Sequence, residues 1–281
     1  MKIGISAHYT LNDTEIGARN MRRYGYRYCD YRDFMYEKFG FYELTDEQML
    51  EKVKRDGEIL RREGITVNQL HGLWLWPPRD DTEEGLREKH RRACLGIRGA
   101  EILGAKYFVL HPFMPFGANS PENPERVYEI NRRMLTSLAD FGEKCGVIIC
   151  LENMPFESFP LASVKAVTDF VREINHPYLK VCLDTGHAEI TGEHPADAAR
   201  YIGRDLLATL HVHDNHGERD EHNIIGNGVI DWDAFASALV ELGFDGVFSL
   251  EIGIWEPLEP DERLRRELEL YESANCLVGS L

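Results

Sequence analysis

Apolar positions along the chain follow two rhythms. Short apolar runs alternate with longer stretches in which apolar residues recur every three or four positions. The first rhythm is that of buried strands, the second that of amphipathic helices. The pattern predicts strands over residues 2–7, 26–31, 65–71, 106–111, 147–152, 179–184, 207–213 and 246–251. Between and after them it predicts helices over about 14–24, 46–63, 82–103, 124–145, 162–174, 195–203, 232–242 and 260–276. Thr45-Asp46-Glu47-Gln48 offers an N-cap with early acids, and Gly64, Gly104, Gly146 and Gly243 stand where helices should stop before a strand. The second strand differs from the rest in being aromatic rather than aliphatic.

Eight strand–helix units in 281 residues imply parallel pairing with right-handed crossovers. They predict a single (β/α)₈ TIM barrel, one domain spanning residues 1–281. A doubly wound open sheet more often stops at about five to seven strands. Its G-x-G-x-x-G turn is also absent, Ala7-His8-Tyr9-Thr10 following the first strand instead.

Composition narrows the function. A chain that is 43% hydrophobic and 28% charged is neither disordered, collagen-like nor a disulfide-stapled miniprotein. With 32 basic against 48 acidic residues the net charge is −16, which opposes binding to a phosphate backbone. No apolar run approaches the roughly 20 residues of a membrane span. The start, MKIGISAHYT, lacks the apolar region of a signal peptide. Six scattered cysteines without C-x-x-C read as reduced thiols, so a cytoplasmic location is expected.

The strand ends carry the chemistry. Six consecutive predicted strands close on His71, His111, Glu152, Asp184, His211 and Glu251. His, Asp and Glu make up only 59 of 281 residues, so chance alone does not account for the series. In a barrel these ends converge at the C-terminal mouth. Clustered carboxylates repel one another, and a divalent cation removes that penalty. Glu152, Asp184, His211 and Glu251 form an oxygen-rich set with one nitrogen, which favours one divalent ion, Mn²⁺ ahead of Mg²⁺, Co²⁺ and Zn²⁺. Asp184 also fits a plain helix N-cap. His71, His111, His187, Asp220 and His222 are further candidates for metal or substrate binding. His8 at the end of the first strand, Trp74 and Trp76 on the loop after His71, and Arg219 beside Gly226–Gly228 are candidate substrate contacts. No lysine ends a strand, which argues against Schiff-base chemistry, and no G-x-S-x-G or Walker loop occurs.

With these residues in hand, the chain resembles the xylose isomerase-like TIM barrel superfamily, the sugar (and sugar phosphate) isomerases and epimerases together with endonuclease IV. Leu110–Pro112, Leu151–Asn153, Leu183–His187, His211–Asp214 and Ser249–Ile252 carry the resemblance in order and spacing, over nearly the whole chain. The resemblance implies that Glu152, Asp184, His211 and Glu251 hold one divalent metal and that Glu152 and Glu251 act as acid and base. It implies a sugar isomerase or epimerase that moves a proton next to a carbonyl through a metal-stabilised enediolate, with a dehydratase or lyase as the nearest variant. Its substrate would be a small-molecule sugar or polyol; a homo-oligomer is compatible with it. Ketose 3-epimerases keep an arginine six residues after the metal histidine, where this chain has Gly217, so the resemblance extends to the chemistry and not to that substrate. Endonuclease IV supplies the alternative. Its three zinc ions take further ligands at positions matching His71, His111, His187, Asp220 and His222, which would make the chain a trinuclear-zinc phosphodiesterase acting on abasic DNA. The tyrosine- and arginine-rich stretch 19–32 is the local feature in its favour, and the charge of −16 stands against it.

Overall fold

The computed structural model describes residues 1–6, 14–36, 41–74, 82–118, 123–252 and 259–279. Eight parallel strands run in the order of the chain: β1 (Lys2–Ser6), β2 (Tyr28–Tyr31), β3 (Thr66–His71), β4 (Tyr107–Leu110), β5 (Ile148–Glu152), β6 (Leu179–Asp184), β7 (Leu207–His211) and β8 (Val247–Leu250). From β1 to β7 each strand pairs with the next, and β1 pairs with β8. The ring closes just beyond β7, where the Val212 amide donates to Ser249 O and the Glu251 amide donates to Val212 O, each at 2.9 Å. The expected (β/α)₈ TIM barrel is therefore present.

The helices are α1 (Thr14–Arg23), α2 (Asp46–Arg62), α3 (Glu83–Leu103), α4 (Pro124–Cys145), α5 (Val164–Ile174), α6 (Thr185–Ile190), α7 (Pro195–Ile202), α8 (Trp232–Leu242) and α9 (Pro260–Val278). Local chemistry sets their ends. Thr45 and Gln48 form a reciprocal capping box at the start of α2. Gly104 and Gly146 end α3 and α4 at φ of 72° and 69°, a region that favours glycine. None of the described helices is long and apolar enough to cross a membrane.

The period of two along each strand separates two apolar regions. Ile149 and Leu151 of β5 and Leu179, Val181 and Leu183 of β6 face the main core between strands and helices. Val109, Cys150 and Cys182 form a small separate plug inside the barrel. One step further along, the same inward-facing rows of β5 and β6 reach Glu152 and Asp184. The burial that raises the Cys150 and Cys182 thiol pKa values also keeps both thiols inert.

Candidate metal centre at the barrel mouth

Four strands end on a candidate residue, namely β3 on His71, β5 on Glu152, β6 on Asp184 and β7 on His211. β4 and β8 stop one residue short of His111 and Glu251. The predicted strand 207–213 likewise ends early, at His211. All six side chains are nonetheless buried at the mouth. Ligand atoms from Glu152, Asp184, His211 and Glu251 all lie within 4.8 Å of one another. His211 Nδ1 sits at 3.0 Å from both Glu152 Oε1 and Glu251 Oε2. On the opposite side of Glu152, His71 Nε2 and His111 Nε2 approach Oε2 at 3.4 and 3.3 Å.

A second group flanks the first. Asp184 caps α6, its Oδ1 accepting from the His187 amide at 2.7 Å, so the N-cap reading of this residue is correct as well. Its carboxylate also lies 3.1 Å from His213 Nε2. His213 reaches that place because residue 186 is glycine; a Cβ there would stand 2.0 Å from the ring. His187 Nε2 and His222 Nε2 lie 3.4 and 3.2 Å from Asp220 Oδ2. The loop that carries Asp220 and His222 is pinned by the buried Asp214. Its carboxylate accepts from the amides of Asn215 and Gly226 and from Trp232 Nε1 at 2.8–2.9 Å.

Three histidines have one ring nitrogen committed elsewhere. His71, His187 and His222 turn Nδ1 to the carbonyls of Gly72, Asn153 and Glu251 at 2.8, 2.8 and 2.6 Å. A carbonyl only accepts, so Nδ1 carries the proton and, in the neutral ring, Nε2 presents a lone pair to the carboxylates. That arrangement is characteristic of metal-binding histidines. His71 Nε2 and Glu152 Oε2 are buried and have no hydrogen-bond partner among the described residues. Two buried acceptors facing each other are repulsive unless a cation or a proton stands between them.

Charge leads to the same requirement. Among the described residues, five carboxylates (the buried Asp30, Glu152, Asp184 and Glu251 and the more exposed Asp220) gather here with one guanidinium, that of Arg32, which bonds Glu251 Oε1 at 2.5 Å and Ser6 Oγ at 2.8 Å. In the ion-free protein the imidazoles supply the missing positive charge. Burial opposes the charge on His211, but Cys182, Glu152, Glu251 and the bond to Asp30 outweigh it and hold its pKa well above the usual value. Burial opposes that of His187 too, and Asp184, Asp220 and Glu152 raise its pKa to about 10. For His222, Asp220 and Glu251 overcome burial and raise it to about 9. Burial would raise Glu152 and Glu251, yet His211 draws both well below the usual carboxylate range, helped by His111 for Glu152 and by Arg32 for Glu251. The donor set thus fits divalent cations, with Glu152, Asp184, His211 and Glu251 as the compact oxygen-rich group.

The loop candidates are placed differently. Trp74 is 42% exposed and its amide donates to Met35 O. Arg219 is exposed near Glu221 and is not drawn into the cluster. His8 and Trp76 lie outside the described residues. Two members of the site, Asp30 and Arg32, were missed in the sequence, whereas the period of two along residues 207–213 already sets His213 on the face of His211. Asp30 lies in the aromatic second strand and Arg32 directly follows it, and a buried acid inside a strand was the available signal.

The chain matches the family described as Xylose isomerase-like TIM barrel over residues 18–274. It is 31% identical over 180 residues to the uncharacterized protein MJ1311 of Methanocaldococcus jannaschii, covering 62% of this chain and 60% of that one. It is 28% identical over 180 residues to D-psicose 3-epimerase of Enterocloster bolteae, covering 59% and 57%. It is 29% identical over 168 residues to the probable endonuclease 4 of Mycoplasma mobile, covering 54% and 56%. The chain thus spans little more than half the length of these relatives. Among solved structures, D-psicose 3-epimerase in the presence of D-fructose superposes with a TM-score of 0.79 over 99% of this chain and all of that one, at 15% identity. The IOLI protein with a binding zinc atom superposes with a TM-score of 0.78 over 100% and 99%, at 21% identity. At such identities the superpositions speak for the fold. The family match over residues 18–274 carries the assignment: this chain belongs to the xylose isomerase-like TIM barrel family.

Proposed function

We propose that the protein is a metal-dependent sugar isomerase or epimerase. The observation that carries this reading is the placement of two glutamates from strands far apart in the chain, Glu152 and Glu251, each 3.0 Å from the same nitrogen of His211. Glu152, Asp184, His211 and Glu251 would hold one divalent ion, Mn²⁺ being the first choice for so oxygen-rich a set. When bound, the ion supplies Lewis acidity that polarises a substrate carbonyl and acidifies the adjoining C–H. Glu152 and Glu251 reach the centre from different strands. One takes the proton beside the carbonyl, and the other returns one to the opposite face or to the neighbouring carbon. The His211 imidazole and the Arg32 guanidinium favour the ionised form of both carboxylates in the ion-free protein, so the glutamate that returns a proton must first take one from solvent. The similarity to a D-psicose 3-epimerase supports a small-molecule sugar as substrate.

A second reading has its own observation. The pair His71 and His111 on Glu152, and the pair His187 and His222 on Asp220, supply ligands for two ions beyond the first. That supports a polynuclear phosphoester hydrolase similar to endonuclease 4. The net charge of −16 stands against a DNA substrate.

Metal content per chain and solvent exchange separate the two. The isomerase reading expects one tightly held ion, and deuterium from heavy water entering a carbon next to the carbonyl in a panel of ketoses, inososes and keto-sugars. Three zinc ions per chain with nicking of an abasic plasmid, and no exchange on any sugar, would replace it by the hydrolase.

A further inference from the structure

His211 differs from the other histidines of the mouth in which nitrogen it offers. His71, His187 and His222 turn Nε2 to the carboxylates and give Nδ1 to a backbone carbonyl. His211 turns Nδ1 to Glu152 and Glu251 and gives Nε2 to Asp30 Oδ2 at 3.1 Å. Asp30 is 1% exposed and lies on the opposite wall of the barrel, in β2.

A chain of side chains inside the barrel aims it. Thr209 Oγ1 donates to Gln69 Oε1, and Asn68 Nδ2 donates to the same oxygen at 3.0 Å. Two donors on one atom identify it as the amide oxygen, so Gln69 Nε2 is the end that donates to Asp30 Oδ2, at 3.3 Å. The backbone is adapted to this. The β2–β3 register skips Asn68 between Val67 and Gln69, and the β6–β7 register skips Ala208 between Leu207 and Thr209. Each bulge shifts the side-chain alternation by one residue, and Gln69 and Thr209 meet inside the barrel as a result. An ionised carboxylate accepts and cannot donate, so the His211 ring nitrogen facing Asp30 must hold the proton.

We infer that Asp30 is a positioning residue that fixes the tautomer of His211, so that Nδ1 is the atom offered to the metal. This rests on the metal-centre reading above and adds to it a residue and an atom. A carboxylate behind a ligating histidine orients the ring and makes it more basic, and removing such a partner typically costs about 10- to 100-fold in metal affinity.

The test uses the full chain stripped of metal and titrated with Zn²⁺ or Co²⁺ alone. Asp30→Ala should weaken binding by about 10- to 100-fold. Asp30→Asn, which keeps an acceptor for Nε2–H, should recover most of the loss. In the zinc-loaded unmodified protein, nitrogen-15 spectra of the histidine rings should show the His211 proton on Nε2, whether or not the variants fold. Asp30→Ala affinity within about twofold of the unmodified protein, or a zinc-loaded His211 protonated on Nδ1, would overturn the inference and leave the metal centre standing. Unmodified protein that takes up neither ion would overturn both.

Discussion

Two buried clusters of acids in this molecule meet their electrostatic penalty in different ways. Behind β2, Asp33 and Asp56 share the ammonium of Lys52 at 2.6 and 2.5 Å. The Tyr31 hydroxyl lies 2.9 and 2.7 Å from the same two oxygens, and Thr14 donates to the other oxygen of Asp56 at 2.9 Å. Every interaction there is internal. At the mouth, among the described residues, Glu152 Oε2 and His71 Nε2 face each other without a hydrogen bond, and the four buried carboxylates Asp30, Glu152, Asp184 and Glu251 meet one guanidinium. The first cluster is complete as folded, and the second is complete only with something added. A dense group of buried acids therefore identifies a site only where the protein's own donors run out.

The largest effect should come from removing a mouth carboxylate. Glu152→Gln should lower turnover by at least about 100-fold, the usual contribution of a general acid or base. The metal-free variant should stay folded but melt somewhat lower than the unmodified protein, because the attraction of the ionised carboxylate to His211 and His111 has gone. Near-normal turnover would remove Glu152 from proton transfer and erase the contrast. Lys52→Met attacks the self-sufficient cluster instead. It should destabilise the fold by about 2–3 kcal/mol, below the 3–5 kcal/mol of a fully buried pair since Lys52 is 27% exposed, with metal affinity unchanged. Denaturant unfolding checks the first expectation and calorimetric titration the second.

The third effect concerns Glu267 in α9, 1% exposed, with one oxygen lacking a hydrogen-bond partner among the described residues. Burial raises its pKa to about 7 despite Arg263 nearby. Here the solution is a proton. The folded state binds that proton more tightly than the unfolded chain. Its contribution to stability is therefore intact below the usual glutamate pKa and lost as pH rises through about 7. Between about pH 5 and about pH 8 the loss should be on the order of 2–3 kcal/mol, and Glu267→Gln should abolish it. An identical pH slope in the two proteins would show that Glu267 ionises as freely as an exposed acid.

Much of this was legible in the sequence. Periodicity gave eight strands because each alternates or runs apolar between clear helix stops, and the mouth followed because strand ends must converge. What escaped has physical causes. His111 and Glu251 fall one residue beyond their strands, although both side chains are still buried at the mouth. The helix α6 holds Gly186, a poor helix former, and exists because Asp184 caps it. Asp30 sits within a strand whose aromatic residues masked its inward face, and its role depends on bulges that no linear pattern displays.

The joint between β7 and β8 has one more consequence. His211 and Glu251 flank the place where the cylinder meets itself, held by the two backbone bonds of Val212. An ion gripped by both side chains would act as a clasp across that seam. Loading would then be felt as slower deuterium uptake at the Val212 and Glu251 amides, tying the rigidity of the whole ring to whether its mouth is filled.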